Sequence, residues 1–88
     1  MPETLTEQSD IETMRHHLFE RLNFRMVDIA DAIGYSRTAT HLMLDPTHPR
    51  PFRLTTQQWR SLGHIIALRQ NDSTAQVTPS WAMKQLGL

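Results

Sequence analysis

Cysteine is absent from this 88-residue chain. The chain therefore has no disulfide framework, no thiolate zinc site and no thiol nucleophile. Long apolar runs are also missing, and none approaches the ~20 residues that span a bilayer. The N-terminus, Met1 to Thr4, lacks the basic and apolar regions of a signal peptide. These absences predict a protein of a reducing cytoplasm that has no membrane partner and is stabilised by packing.

Motifs typical of enzymes are equally scarce. The sequence has no glycine-rich phosphate loop and no cluster of Ser, His and Asp at a recognisable spacing. No pair of histidines has the i, i+4 spacing with a glutamate that a helical zinc site needs; the five are His16, His17, His41, His48 and His64. We therefore expect no enzymatic activity, no metal and no other cofactor. Without a separate ligand domain, a small-molecule effector is not expected either.

The net charge is zero, but the charges are unevenly distributed. Acidic residues dominate the first twelve positions, with Glu3, Glu7, Asp10 and Glu12. From Arg15 to Arg69, eight arginines face four carboxylates, which leaves this segment net basic by four. Arginine suits bidentate contact with phosphate or guanine. The pattern fits either a nucleic-acid partner or an ordinary solvated surface, and charge alone does not decide between them.

Hydrophobic periodicity predicts the first helix. Residues 1 to 9 are polar, acidic and without a period, and we expect them to be a disordered lead-in. Apolar residues then recur at helical spacing from Ile11 to Leu22, and Ser9 or Asp10 can cap this helix. Asn23 is placed to take the left-handed conformation that ends it.

Two short helices follow around a glycine. The first fits Met26 to Ile33, with an inner face of Ile29, Ala30 and Ile33. Gly34 is expected at positive φ, and Ser36 is expected to cap a third helix that runs to about Leu44. The side chains of Tyr35 and Met43 are expected to pack against the core.

The second half of the chain predicts a loop and two more helices. Three prolines between Asp45 and Phe52 make a stiff connection. Thr55 and Gln58 form a capping box for a fourth helix to about Arg69, in which Gly63 permits close approach of a neighbour. After a polar linker, Thr78-Pro79 begins a last helix at residues 79 to 86. No strand pattern emerges, so the expected fold is all-α, compact and five-helical.

The segment at residues 29 to 40, IADAIGYSRTAT, resembles the helix-turn-helix of Cro and CI type phage repressors, the lambda-repressor-like family. The order and lengths of the surrounding helices extend the similarity over roughly residues 11 to 69. The resemblance implies a five-helix fold, operator binding as a dimer, and transcriptional repression. More loosely, the chain is similar to small regulators encoded beside anti-CRISPR genes, in which a proline-rich link also precedes a long fourth helix.

The resemblance also implies roles for residues of the third helix. Arg37 and Thr38 match the principal base-reading positions of the family, with His41 and Leu42 one turn later. A guanidinium at Arg37 suits the O6 and N7 atoms of guanine, a contact worth about 1 to 3 kcal/mol of discrimination. Leu42 suits a thymine methyl group, and Ser36 or Thr38 a phosphate or base edge. The alternative for Arg37 is an exposed arginine without a partner.

This sequence departs from the family pattern at the second helix. Arg25 and Met26 stand where the family usually has Ser or Thr as the cap and Gln just inside. Because arginine cannot cap, we expect Arg25 to hold a phosphate. Thr40 occupies a normally aliphatic buried position, where its hydroxyl can bond to the Ser36 carbonyl. Arg50 and Arg53, on the proline-stiffened loop, are expected to clamp the DNA backbone unless they are plain surface charge.

Residues 10 to 69 form the predicted DNA-binding domain, and residues 70 to 88 its linker and short last helix. A single recognition helix touches few base pairs, so we expect a homodimer that binds a palindromic double-stranded operator. Its predicted contacts are the apolar stripe Trp81, Ala82 and Leu86. The alternative is that this last helix folds back over Trp59 and Ile66 of its own chain.

A second function class stays open on the sequence alone. The same fold serves protein-interaction modules, such as an antitoxin or a phage inhibitor that has lost operator binding. The zero net charge and the acidic start favour this interpretation. Arg25, Arg37, Arg50 and Arg53, if they lie along one face, favour DNA.

Overall fold

The computed structural model describes residues 4–5, 8–47 and 52–88, with the side chains of residues 10–47 and 54–88. Within these ranges the regular secondary structure is helical apart from two strands of two residues each, and short loops connect the elements. Its five helices are α1 (Gln8–Arg15), which continues as a π-helical segment (His16–Arg21), α2 (Met26–Ile33), α3 (Arg37–Met43), α4 (Thr56–Gln70) and α5 (Pro79–Gln85). The strands are β1 (Thr4–Leu5) and β2 (Phe52–Arg53).

The two strands differ from the expectation that the chain forms no strand. β1 and β2 pair antiparallel, with Thr4 opposite Arg53 and Leu5 opposite Phe52. Two residues from each of two distant segments make this pair. So short a pairing leaves no local period in the sequence.

The first helix buries the predicted face but is wound differently at its end. Ile11, Met14, Leu18 and Leu22 are all buried. The helix begins at Gln8, so Asp10 lies in its first turn, where a carboxylate favours the helix dipole, rather than at the cap. From His16 the winding is π-helical, which includes the bond from the Leu22 amide to the His17 carbonyl at 2.9 Å.

The helix ends follow the predicted local chemistry. Asn23 takes a left-handed φ of 63°, and Asn71, after α4, takes 57°. Thr55 and Gln58 form the reciprocal capping box of α4, and the Thr78 hydroxyl accepts from the Trp81 amide at the start of α5. The predictions for Asn23, for the Thr55–Gln58 capping box and for the Thr78 cap are confirmed, whereas the left-handed Asn71 was not predicted.

One core unites the helices. α2 packs against α3 and α4, and α4 packs against α5. The side chains of Trp59, Leu62 and Ile66 on α4 are fully buried at its centre. The radius of gyration is 11.9 Å, close to the ~12 Å expected for a compact chain of this length. Among the residues that the structure describes, no helix has the length and apolarity that crossing a membrane requires.

Candidate nucleic-acid interface

The α2–α3 unit is held at its corner by Gly34. This residue takes a φ of 74°, and a Cβ there would meet nothing within 4 Å, so the left-handed backbone rather than lack of space favours glycine. The amides of Gly34 and Tyr35 both donate to the Ala30 carbonyl, at 2.9 and 3.1 Å. Ala30 itself is buried, as are Ile29 and Ile33 on the inner face of α2. The predicted turn between two short helices is therefore present.

The start and the inner face of α3 are fixed by its own residues. The Ser36 hydroxyl accepts from the Ala39 amide at 3.0 Å, which confirms the predicted cap. Thr40 is fully buried, and its hydroxyl donates to the Ser36 carbonyl at 2.8 Å, as expected. Met43 and Leu44 are buried at the other end. One side of α3 thus anchors it to the core.

Two side chains from other helices hold the α2–α3 unit, one at the end of α2 and one at the end of α3. Gln58 Nε2, at the start of α4, donates to the Ile33 carbonyl just before the turn, at 3.1 Å. Arg15 Nη1, on α1, donates to the Leu44 carbonyl just after α3, at 2.7 Å. Both acceptors are orphan carbonyls of helix ends. The sequence reveals the capping role of Gln58, but neither long-range contact leaves a local signal.

The other side of α3 is open to solvent. The side chains of Arg37, Thr38, His41 and Leu42 are all exposed, and Leu42 retains 44% of its surface. Within the described part of the chain, no hydrogen bond or ion pair holds the Arg37 guanidinium. The structure therefore brings the four predicted base-reading residues onto one short helix, with a free cation at its first turn.

Arg25 has an intramolecular partner, Asp28, that was not predicted from the sequence. Its backbone amide donates to Asp28 Oδ2 at 2.8 Å, and its Nε lies 3.6 Å from the same oxygen. The backbone hydrogen bond from Arg25 lowers the pKa of Asp28, and the charges of Arg25 and Arg69 act in the same direction, against a smaller opposing effect of burial. Since the Arg25 side chain is 80% exposed, the ion pair is weak. A contact of Arg25 with phosphate stays a prediction.

The two loop arginines are only partly observable. Arg50 lies outside the described residues. Of Arg53 the backbone alone is described, in the strand that pairs with Thr4. Their role as backbone clamps stays a prediction.

The predicted dimer contacts lie mostly inside the chain's own core. Ala82 and Leu86 are fully buried, and Trp81 is half-buried against the same cluster. α5 packs on α4, as in the alternative arrangement, because Gly63 admits it closely. Ala82 and Leu86 are therefore not available to a second copy while α5 stays in place, and this corrects the predicted interface without testing the dimer.

Sequence reasoning missed a groove between α2 and α4. Its volume is about 580 Å³, and its lining includes Phe24, Asp31, Ile65 and Leu68. Acidic and basic groups line it together with apolar side chains. For metals, the described residues contain no group of three His, Cys, Asp or Glu side chains that could hold an ion.

Comparison of the chain with protein-family models, with curated proteins and with solved structures finds no match.

Proposed function

We propose that this chain is a sequence-specific regulator of transcription, an autorepressor that binds a palindromic double-stranded operator as a homodimer. In this proposal α2 and α3 are the helix-turn-helix of a lambda-repressor-like fold, and α3 enters the major groove. The observation that carries it is the exposed side of α3, on which Arg37, Thr38, His41 and Leu42 stand together on a helix anchored by its buried side.

In this proposal each of these side chains contacts a particular group of the DNA. Arg37 donates to guanine O6 and N7, and Leu42 contacts a thymine methyl group. Thr38 and His41 supply further hydrogen bonds to base edges. Ser36 and Arg25, at the helix starts, contact the phosphates that set the register, and Arg50 and Arg53 clamp the backbone beside them.

A salt titration of duplex binding tests the class of function. Duplexes are first selected from a random pool by the protein, and binding of the recovered sequence is then measured by fluorescence anisotropy between 50 and 300 mM KCl. Phosphate contact predicts that the logarithm of the association constant falls linearly with the logarithm of salt, with a slope of about −0.9 per neutralised phosphate. A pool that yields no preferred sequence, or binding without salt dependence, contradicts the proposal and favours a protein-interaction module.

Arg37→Ala tests the reading role within the same assay. Losing a bidentate guanine contact should relax the preference at one base pair per half-site and cost about 1 to 3 kcal/mol of specific binding. Arg60→Ala is the matched control, since Arg60 is an exposed arginine of α4 outside the proposed reading helix. It should leave the base preference unchanged. An unaltered preference in Arg37→Ala removes this residue from the reading role.

A further inference from the structure

Leu68 is the most exposed large hydrophobic side chain among the described residues. It retains 79% of its surface on α4, compared with 44% for Leu42 on α3. It stands between two depressions and lines both of them. One is the groove between α2 and α4; the other lies between α4 and the linker and includes Ala75 and Val77.

The groove beside Leu68 has an apolar floor. Phe24, Ala32 and Ile65 line it, and the Arg69 guanidinium lies over the Phe24 ring with its carbon 4.6 Å from the ring centre. Phe24 is buried, whereas Ala32 and Ile65 keep part of their surface. A protruding leucine and a cavity able to take one therefore lie side by side on one face.

The charges on this face are of both signs and are segregated by helix. Asp28 and Asp31 line the groove from α2, and Arg69 lines it from α4. Asp31 is exposed, and no hydrogen bond or ion pair within the described ranges involves its carboxylate. A uniformly basic or acidic partner would meet a like charge somewhere on this surface. A second copy related by a two-fold axis places the carboxylates of each α2 opposite the arginine of the other copy's α4, which gives two favourable contacts.

We propose that this groove is an isologous interface between two copies of the chain. About a two-fold axis beside Leu68, each Leu68 enters the groove of the other copy, and Asp31 faces the partner's Arg69. The same patch then serves both copies, as two-fold symmetry requires. No residue of α3 lines the groove, so the exposed side of α3 stays open in the dimer.

This interface rests on the proposed function, since it would form the dimer that a palindromic operator needs. The interface can nevertheless be tested without DNA. Sedimentation equilibrium of the full chain between 1 and 100 μM should show a monomer–dimer equilibrium. Leu68→Glu places a charge in the groove and should raise the dissociation constant at least about tenfold. Because the side chain is exposed, circular dichroism should show an unchanged helix content. Leu42→Glu, on the other large exposed leucine, is the matched control and should leave the mass distribution unchanged.

A charge exchange tests the geometry. Asp31→Arg and Arg69→Asp should each weaken association several-fold, because each brings like charges together across the axis. The double variant should recover most of the loss.

A monomer up to 100 μM overturns the interface. So does a dimer that persists in Leu68→Glu, or a double variant that is weaker than both single variants. None of these outcomes depends on DNA. A chain that dimerises as expected but selects no duplex contradicts the proposed function and leaves the interface standing. One that selects a duplex as a monomer contradicts the interface and the homodimeric form of the proposed function, but not its DNA binding.

Discussion

The imidazole of His17 accepts a hydrogen bond from Arg21, the arginine that links the first helical segment to the end of α5. Arg21 Nε donates to His17 Nδ1 at 2.7 Å, and Arg21 Nη2 donates to the Gln85 carbonyl, also at 2.7 Å. Burial lowers the pKa of His17 below its ordinary value of 6.5, and the neighbouring Arg21 and His16 charges lower it further. Protonation of Nδ1 would remove the acceptor and place two cations together.

This arrangement predicts stability that depends on pH. The pKa of His17 is lower in the folded chain than in the unfolded chain. The stability that neutral His17 contributes is therefore complete above pH 6.5 and is lost as the pH falls below that value toward the folded pKa. The urea midpoint of unfolding should therefore be lower at pH 5.5 than at pH 7.5. In His17→Gln this difference should shrink. His64→Gln, at an exposed histidine of α4, is the control and should keep the full difference. Equal pH dependence in both variants would exclude His17 as its source.

Two side-chain hydrogen bonds show which contacts can be predicted from the sequence and which cannot. The hydroxyl of Thr40 and the carbonyl that it contacts belong to one helix, four positions apart, so the bond follows from the sequence. The amide of Gln58 and the Ile33 carbonyl are 25 positions apart, and their contact depends on how α4 packs on α2. Spacing along the chain cannot supply that information.

At the scale of elements, Gly63 admits the close packing of the linker residue Val77, and with it the start of α5, against α4. A Cβ at this position would lie 2.5 Å from Val77 Cγ1 and 3.4 Å from Ala82 Cβ. In an unobstructed helix, alanine is about 1 kcal/mol more stable than glycine. Here the clash should exceed this gain, because overpacking typically costs about 1 to 3 kcal/mol.

Gly63→Ala should accordingly destabilise the chain, whereas the same change in a Val77→Ala background should be neutral or stabilising. Chemical denaturation of the wild type, the two single variants and the double variant measures this coupling. A gain of about 1 kcal/mol from Gly63→Ala alone would show that Val77 does not pack on α4 as closely as the structure has it.

The helices predicted most accurately are those whose ends are determined by residues adjacent in the sequence. α2 has the predicted bounds, Met26–Ile33, because Gly34 terminates it and the apolar period defines its inner face. The π-helical segment was not predicted, since the same apolar positions serve α and π winding. The four exposed positions of α3 are those to which the resemblance assigned base reading. Their contact with DNA stays a proposal, because solvent exposure does not identify a partner.

At the scale of the whole molecule, α5 belongs to the single core. Ala82 and Leu86 are fully buried in the same cluster as Met14, Leu18 and Trp59. A chain of this size has only about 5 to 15 kcal/mol of stability in total. The last helix therefore contributes buried side chains to the core on which this small stability depends.

Leu86→Ala tests this directly. Truncating a fully buried leucine should cost about 2 to 5 kcal/mol, so the urea midpoint should fall sharply. Lys84→Ala, at an exposed position of the same helix, is the control and should change stability by less than about 0.5 kcal/mol. Ending the chain after Gln76 should abolish the cooperative transition. A truncated chain that keeps its helix content and a sharp transition would show that α5 is dispensable.

The two hydrogen bonds that hold the α2–α3 unit, from Gln58 to the Ile33 carbonyl and from Arg15 to the Leu44 carbonyl, have a kinetic consequence. They tie the last residue of α2 and the residue after α3 to neighbouring helices, so a ligand that bound α3 would order little further backbone and lose little conformational entropy. Association then resembles the docking of a rigid body, whose rate is set by encounter and orientation rather than by a folding step. A ligand of α3 meets a surface that is already formed.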